Sequence, residues 1–169
     1  MTTVLGIDGA THSSGYSIFN EETGDLLDWG VVSGGDSDDS YVRTLVIISE
    51  FRKIIKKYGI QKVIAEKPIP TFRNSVTLTM LCVLQGAILL MCNDLCLPVQ
   101  FVDVSTWRSR LGWDKMTRPE YKAASVNFAN DEFGLKLKKK DDDIADAINL
   151  CYATLYLKPS KYDLKKKTQ

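Results

Sequence analysis

Apolar residues run almost without interruption through "TVLGID" (3–8), the pattern of a central strand covered on both faces. The segments "YSIFN" (16–20) and "LLDWGVVSG" (26–34) follow as second and third strands, set apart by the turn segments "GATHSSG" and "EETGD". Connections this short make the three an antiparallel meander. Past a loop rich in Gly, Ser and Asp, "YVRTLVIISEFRKIIKKYG" changes to a helical period, with Val42, Leu45, Val46, Ile48, Ile54 and Ile55 expected on its apolar face and Gly59 at its end. "QKVIAE" (61–66) predicts a fourth strand, the apolar stretch 75–97 a long helix, and "VQFVDV" (99–104) a fifth strand. Thr117 and Glu120 have capping-box spacing for a helix to about residue 130, and "DDDIADAINLCYA" (141–153) opens a last, largely buried helix.

A meander followed by helix, strand, helix, strand implies an α/β fold with a mixed five-stranded sheet flanked by helices. The right-handed crossover rule then places strand four parallel beside strand one. Asp8 ends strand one and Glu66 ends strand four. Both carboxylates emerge at one sheet edge, where open α/β sheets bind ligands. In the last helix Asp143 and Asp146, three apart, share a face, and acids so spaced repel each other unless a positive group stands between them. If that helix packs at the same edge, a four-carboxylate cluster results. Asp141 and Asp142 suit a helix start instead, although Asp142 with Asp146, four apart, is a geometric alternative. Bridging carboxylates are hard ligands for two Mg²⁺ or Mn²⁺ ions, which sit about 3.5–4 Å apart when they clamp the attacking and leaving oxygens of a phosphodiester displacement.

Composition narrows the class. A chain of 169 residues, 44% apolar and 25% charged, is that of an ordinary globular domain, expected here over 1–157 with a basic, flexible tail at 158–169. Met1-Thr2-Thr3 lacks the basic segment of a secretory signal, and Thr77, Thr79, Gln85, Asn93 and Asp94 interrupt the stretch 75–97. That stretch is expected to be a core or interface helix and not a membrane span, in a cytoplasmic protein. Cys82, Cys92, Cys96 and Cys151 read as reduced core thiols, and with His12 the sole histidine no Cys/His zinc set assembles. The net charge of +1 conceals a division: residues 1–107 hold 8 Lys and Arg against 12 Asp and Glu, residues 108–169 hold 14 against 9. A solvated lysine surface and a polyanionic partner both account for the basic half.

Three segments taken in order, "LGIDGATHSSGYSIF" (5–19), "VIAEKP" (63–68) and "DIADAINLCYA" (143–153), resemble the RuvC family of Holliday-junction resolvases, within the ribonuclease H-like fold. The resemblance implies a homodimeric, Mg²⁺-dependent endonuclease, with Mn²⁺ able to substitute, that nicks branched DNA, four-way junctions first. It also implies that Asp8, Glu66, Asp143 and Asp146 are the catalytic ligands of two ions per site. Compactness points to a bacteriophage member, acting in the host cytoplasm. Two departures stand out: Gly9-Ala10 replaces the Pro-Gly that usually follows the first acid, and Ile69 replaces the aromatic three residues after the second. Phe72, further on in "PIPTFRN", is either a junction probe or an aromatic closing its loop, with Arg73 and Asn74 as neighbouring DNA-contact candidates. The family's basic residues near the third helix are matched by Arg108 and by Lys115, Arg118 or Lys122 as phosphate contacts. Ser13 and Ser14 suit either a phosphate or a turn. Two other classes stay open: an actin-like sugar-kinase phosphotransferase, whose first hairpin "GIDGATHSSG" resembles, and a catalytically inactive junction-binding module.

Overall fold

The computed structural model describes residues 1–69 and 75–160. In chain order its elements are β1 (Thr3–Asp8), β2 (Ser13–Asn20), β3 (Leu26–Ser33), α1 (Ser40–Tyr58), β4 (Lys62–Lys67), α2 (Ser75–Asp94), β5 (Val99–Asp103), α3 (Val104–Arg110), α4 (Arg118–Phe133), a 3₁₀ turn at Lys139–Asp141, and α5 (Asp142–Tyr156). The strands lie in the order β3-β2-β1-β4-β5. β1 pairs antiparallel with β2 and parallel with β4, and β4 pairs parallel with β5. This is the mixed five-stranded sheet expected from the sequence.

The near-continuous apolar run of β1 has a direct cause: each face of the strand meets a separate core. On one side Leu5, Ile7, Ile18 and Val63 pack with Ile47 and Phe51 of α1 and Leu84 and Ile88 of α2. On the other, Val4, Phe19, Ile64 and Val102 pack with Trp107 of α3, Val126 of α4 and Ile148 and Leu150 of α5. The last helix lies hard against the sheet, since a side chain at Gly6 would come within 2.8 Å of the Ala147 carbonyl and 2.7 Å of Cys151.

Several expectations need correction. β2 starts at Ser13, three residues earlier than the apolar pattern suggested, because Ser14 and Ser17 are buried polar residues satisfied inside the protein. Ser14 Oγ accepts from the Ala10 amide and donates to the Ala10 carbonyl, which makes it a turn residue, while His12 is exposed. The first helix forms as predicted but buries a different stripe. Thr44, Ile47, Phe51 and Ile55 turn inward at three- and four-residue spacing, whereas Val42, Leu45 and Val46 are exposed. Helix α3 was absent from the sequence reading, although Val104, Trp107 and Leu111 have helical spacing. Cys92 and Cys151 are core thiols, but Cys82 and Cys96 are exposed.

Helix α2 is long and apolar enough to cross a membrane by length and composition, with a mean hydropathy of 2.0 and 28% of its apolar window buried. Met80, Leu84, Ile88, Met91 and Cys92 supply its inward face, and Val76, Leu89 and Leu90 remain exposed.

Candidate active site

The parallel pairing of β1 with β4 brings their C-terminal ends to one edge, and Asp8 and Glu66 sit at those ends. Helix α5 reaches the same edge with its first turns because the backbone of Asp143 lies directly over Gly15 of β2, the register partner of Asp8. All four candidate carboxylates are partly buried, and the charges of the other three act on Asp8. Burial, then Glu66, Asp146 and Asp143, hold the Asp8 carboxyl well above the usual carboxylate range, opposed by Arg108. Burial pushes Glu66 up to about 7, against a hydrogen bond from Trp107. Asp146 and Asp143 are raised as well, first by burial.

Neutral side chains and one cation hold this arrangement in place. Trp107 Nε1 donates to Glu66 Oε2 at 2.9 Å. Arg108, the next residue of α3, places Nη2 3.4 Å from Asp146 Oδ2, with its guanidinium 5.1 Å from the Trp107 ring centroid and 4.4 Å from that of Tyr121. Ser125 of α4 donates a short hydrogen bond to Asp146 Oδ1. Sequence reasoning missed Trp107 and Ser125, because a core tryptophan and a serine inside a helix carry no signal of this role.

The acid run at the start of α5 divides by partner. Asp141 accepts from the Lys138 backbone amide at 2.8 Å and closes the 3₁₀ turn. Asp142 forms an ion pair with Lys122 of α4. Asp143 is the member of the run whose charge acts on Asp8. Among the DNA-contact candidates, Arg118 opens α4, where Glu120 accepts from the Thr117 backbone amide at 2.6 Å, and Lys115 occupies the preceding loop with φ 62°. Phe72, Arg73 and Asn74 lie outside the described residues. An apolar cleft of about 210 Å³, lined by Gly9, Glu66, Ile69, Leu81 and Gln85, opens beside the carboxylate edge toward α2.

The donor set consists of hard oxygens, and its mutual repulsion is only partly offset by Arg108, the chemistry a divalent cation relieves. Among the described residues no three His, Cys, Asp or Glu side chains stand close enough to hold an ion as they are placed. The fit to a divalent cation therefore rests on the chemistry of the donor set, four carboxylates at one sheet edge, and not on a preformed ligand sphere. A measurable consequence follows for the cation-free protein. A carboxyl whose folded-state pKa exceeds its unfolded value contributes stability that is full below the unfolded pKa and is lost as pH rises through the folded one. For Glu66 that window runs from 4.5 to about 7. In chelator, Tm should fall as pH rises across it. Asp8→Asn should raise Tm at neutral pH by about 2–4 °C per kcal/mol of repulsion relieved. Calorimetry of the two proteins checks both statements, and an Asp8→Asn protein no more stable than wild type contradicts the crowding described.

Residues 1–156 match the family described as Lactococcus phage M3 protein. The chain belongs to this phage protein family. Curated relatives carry the resemblance to RuvC across the whole fold. The crossover junction endodeoxyribonuclease RuvC of Prochlorococcus marinus strain NATL1A is 25% identical over 158 residues, spanning 92% of this chain and 99% of the relative. That of Fusobacterium nucleatum is 26% identical over 152 residues, 88% of this chain and 77% of the relative. Among solved structures, Thermus thermophilus RuvC in complex with Holliday junction substrate superposes with a TM-score of 0.71 at 17% identity, covering 94% of this chain and 99% of that one. The fowlpox virus resolvase complexed with Holliday junction DNA gives 0.58 at 15% identity, covering 91% and 97%. The fold of this phage family member is thus the ribonuclease H-like fold of RuvC.

Proposed function

We propose that the protein is a Mg²⁺-dependent, structure-selective endonuclease that resolves four-way DNA junctions by paired phosphodiester hydrolysis in the host cytoplasm. The observation that carries this reading is the meeting of Asp8, Glu66, Asp143 and Asp146 at the C-terminal edge of the β1/β4 pair, on a fold shared with junction resolvases. The four carboxylates would hold two ions, which supply a Lewis acid and a deprotonated water when bound. Asp8 would be a ligand in common with the strand-borne Glu66 and the helix-borne acids, since the charges of all three act on it. Arg108 offers a guanidinium already partly desolvated by two rings, suited to a phosphate oxygen next to Asp146.

Two further parts of the reading concern the assembly and its DNA. The exposed Val76, Leu89 and Leu90 of α2 support a homodimer joined through residues 76–92, with both sites facing one DNA surface. Lys115, Arg118 and Lys122 continue the basic surface from Arg108 along α4, and Phe72 is the candidate for probing the strand crossover, with Arg73 and Asn74 beside it as candidate phosphate contacts. Lys122 would have to be shared with Asp142, its ion-pair partner.

The test is single-turnover cleavage of a synthetic four-way junction with Mg²⁺, against linear duplex, flap and fork controls, with sedimentation of the DNA-free protein. Symmetric nicks in the junction and a dimer at micromolar concentration are expected; equal cutting of linear duplex removes the structure-selective reading. DNA contacts are checked by salt dependence. Arg118→Ala should weaken binding to all sequences alike and reduce the slope of log K against log salt by about 1, the term for one phosphate contact. An unchanged slope would leave Arg118 as an ordinary exposed cation.

A further inference from the structure

Helices α3, α4 and α5 bring three fully buried polar side chains to the carboxylate edge, one from each helix, and none of them is a candidate ligand. Trp107 is 0% exposed, and its only polar atom, Nε1, donates to Glu66 Oε2 at 2.9 Å. Ser125 is 0% exposed and donates to Asp146 Oδ1. Asn149, one turn after Asp146 on α5 and also 0% exposed, donates from Nδ2 to Ser125 Oγ at 2.8 Å and to the Ser125 carbonyl at 2.9 Å. Because the Asn149 amide donates into the Ser125 hydroxyl oxygen, the hydroxyl proton points the other way, at Asp146. The chain of donors is directional from α5, through α4, and back to α5.

Burying such groups is costly unless each finds its partner, and purely apolar packing would join α4 to α5 equally well. The cost becomes intelligible from the two oxygens engaged. Glu66 has Oε2 tied and Oε1 without this restraint. Asp146 has Oδ1 tied tightly and Oδ2 only 3.4 Å from the Arg108 guanidinium, a contact weak enough to yield.

We infer that Trp107 and the Ser125–Asn149 pair are positioning residues that fix one oxygen each of Glu66 and Asp146, so that the other oxygen of each is presented to a divalent cation. The inference rests on the metal-dependent reading above. In this arrangement Trp107 ties the orientation of the β4 ligand to α3, and Ser125 ties that of the α5 ligand to α4. Removing either donor leaves the ligand in place but free to turn, the kind of change that typically lowers metal affinity or activity 10–100-fold.

The experiment is titration of Mn²⁺ into the full-length protein, followed by the rise in Tm and by calorimetric binding, for wild type, Trp107→Phe, Ser125→Ala and Tyr152→Phe. Phe keeps most of the indole's apolar bulk, and Ala is favoured inside a helix, so both variants retain core and helix at modest cost. Tyr152→Phe removes a hydroxyl that bonds Glu132 at 3.2 Å on the α4–α5 surface, away from the carboxylates. Trp107→Phe and Ser125→Ala should each shift the Mn²⁺ midpoint 10–100-fold higher and lower single-turnover cleavage to match, with junction affinity in chelator unchanged. Tyr152→Phe should leave the midpoint where it is. A wild-type midpoint in both Trp107→Phe and Ser125→Ala, or a tighter one, overturns the positioning role, even if their Tm falls, and shows the donors to be packing alone. Failure of the wild-type protein to take up Mn²⁺ overturns the metal-dependent reading itself, a separate result visible before any variant is compared.

Discussion

Asp8→Asn, Glu66→Gln, Asp143→Asn and Asp146→Asn should each bind a four-way junction at least as tightly as the wild-type protein and fail to cut it. Asn and Gln keep the shape of the acids and remove the charge that, on the proposed function, would hold a divalent ion, so the loss falls on the several kcal/mol that a Lewis acid contributes to the transition state. That corresponds to a rate reduction on the order of 10³-fold or more. Binding gains because each substitution removes a negative charge facing phosphate. The informative comparison lies within the acid run. Asp142 is engaged by Lys122, and Asp141 closes the 3₁₀ turn, so Asp141→Asn and Asp142→Asn should retain most activity. Asp143 is the one whose charge reaches Asp8. Mg²⁺-dependent nicking assays at equal folded concentration decide the matter. Activity lost in Asp142→Asn and kept in Asp143→Asn would move the ligand assignment by one residue.

What could be read from the sequence followed from how strongly each feature departs from its surroundings. Asp8 and Glu66 each close a strand whose preceding residues are apolar, and topology rules alone carry them to one edge. Asp146 stands out as a charge within Ala145, Ala147 and Ile148, all fully buried. The supporting groups do not depart in this way. Trp107 reads as core, which it also is, and only the aim of its Nε1 reveals a second role. Ser125 and Asn149 are each a single polar residue in a helix, and their common partner appears only once α4 is laid against α5. Helix α1 shows the opposite failure. Its apolar residues run around most of its circumference, so composition cannot choose a face, and contact with the sheet selects Ile47, Phe51 and Ile55 while leaving Leu45 70% exposed. Seven residues were too few for α3 to assert a period, although two of them, Trp107 and Arg108, contact the site.

The distance between the sheet and α5 carries the second large expectation, Gly15→Ala. A Cβ built on Gly15 falls 2.0 Å from the Asp143 carbonyl oxygen, 2.4 Å from its carbonyl carbon and 3.0 Å from the Ile144 nitrogen. These are backbone atoms, so no rotamer change relieves them. Gly15 cannot retreat either, because β2 is paired on both sides, with Asp8 opposite Gly15 on β1 and Val31 opposite it on β3. The start of α5 must therefore lift from the sheet by roughly 1 Å or more to restore van der Waals contact. Overpacking of this kind typically costs about 1–3 kcal/mol, and rigid backbone on both sides puts this case at the upper end or beyond. The larger effect is on chemistry, since the lifted segment carries Asp143 and the first turn leading to Asp146. A displacement of about 1 Å at a reacting group can cost on the order of 10²-fold in rate. Gly15→Ala should thus lower Tm by several degrees and reduce junction cleavage about 100-fold at temperatures where the protein remains folded. Binding to the junction in chelator should persist, because the basic groups of α3 and α4 are not moved. Thermal melts with single-turnover cleavage and binding on the same preparation check it: a Gly15→Ala protein with wild-type Tm and wild-type cleavage would mean that α5 does not rest on β2 at this distance, and the carboxylate edge would have to be rebuilt without that contact.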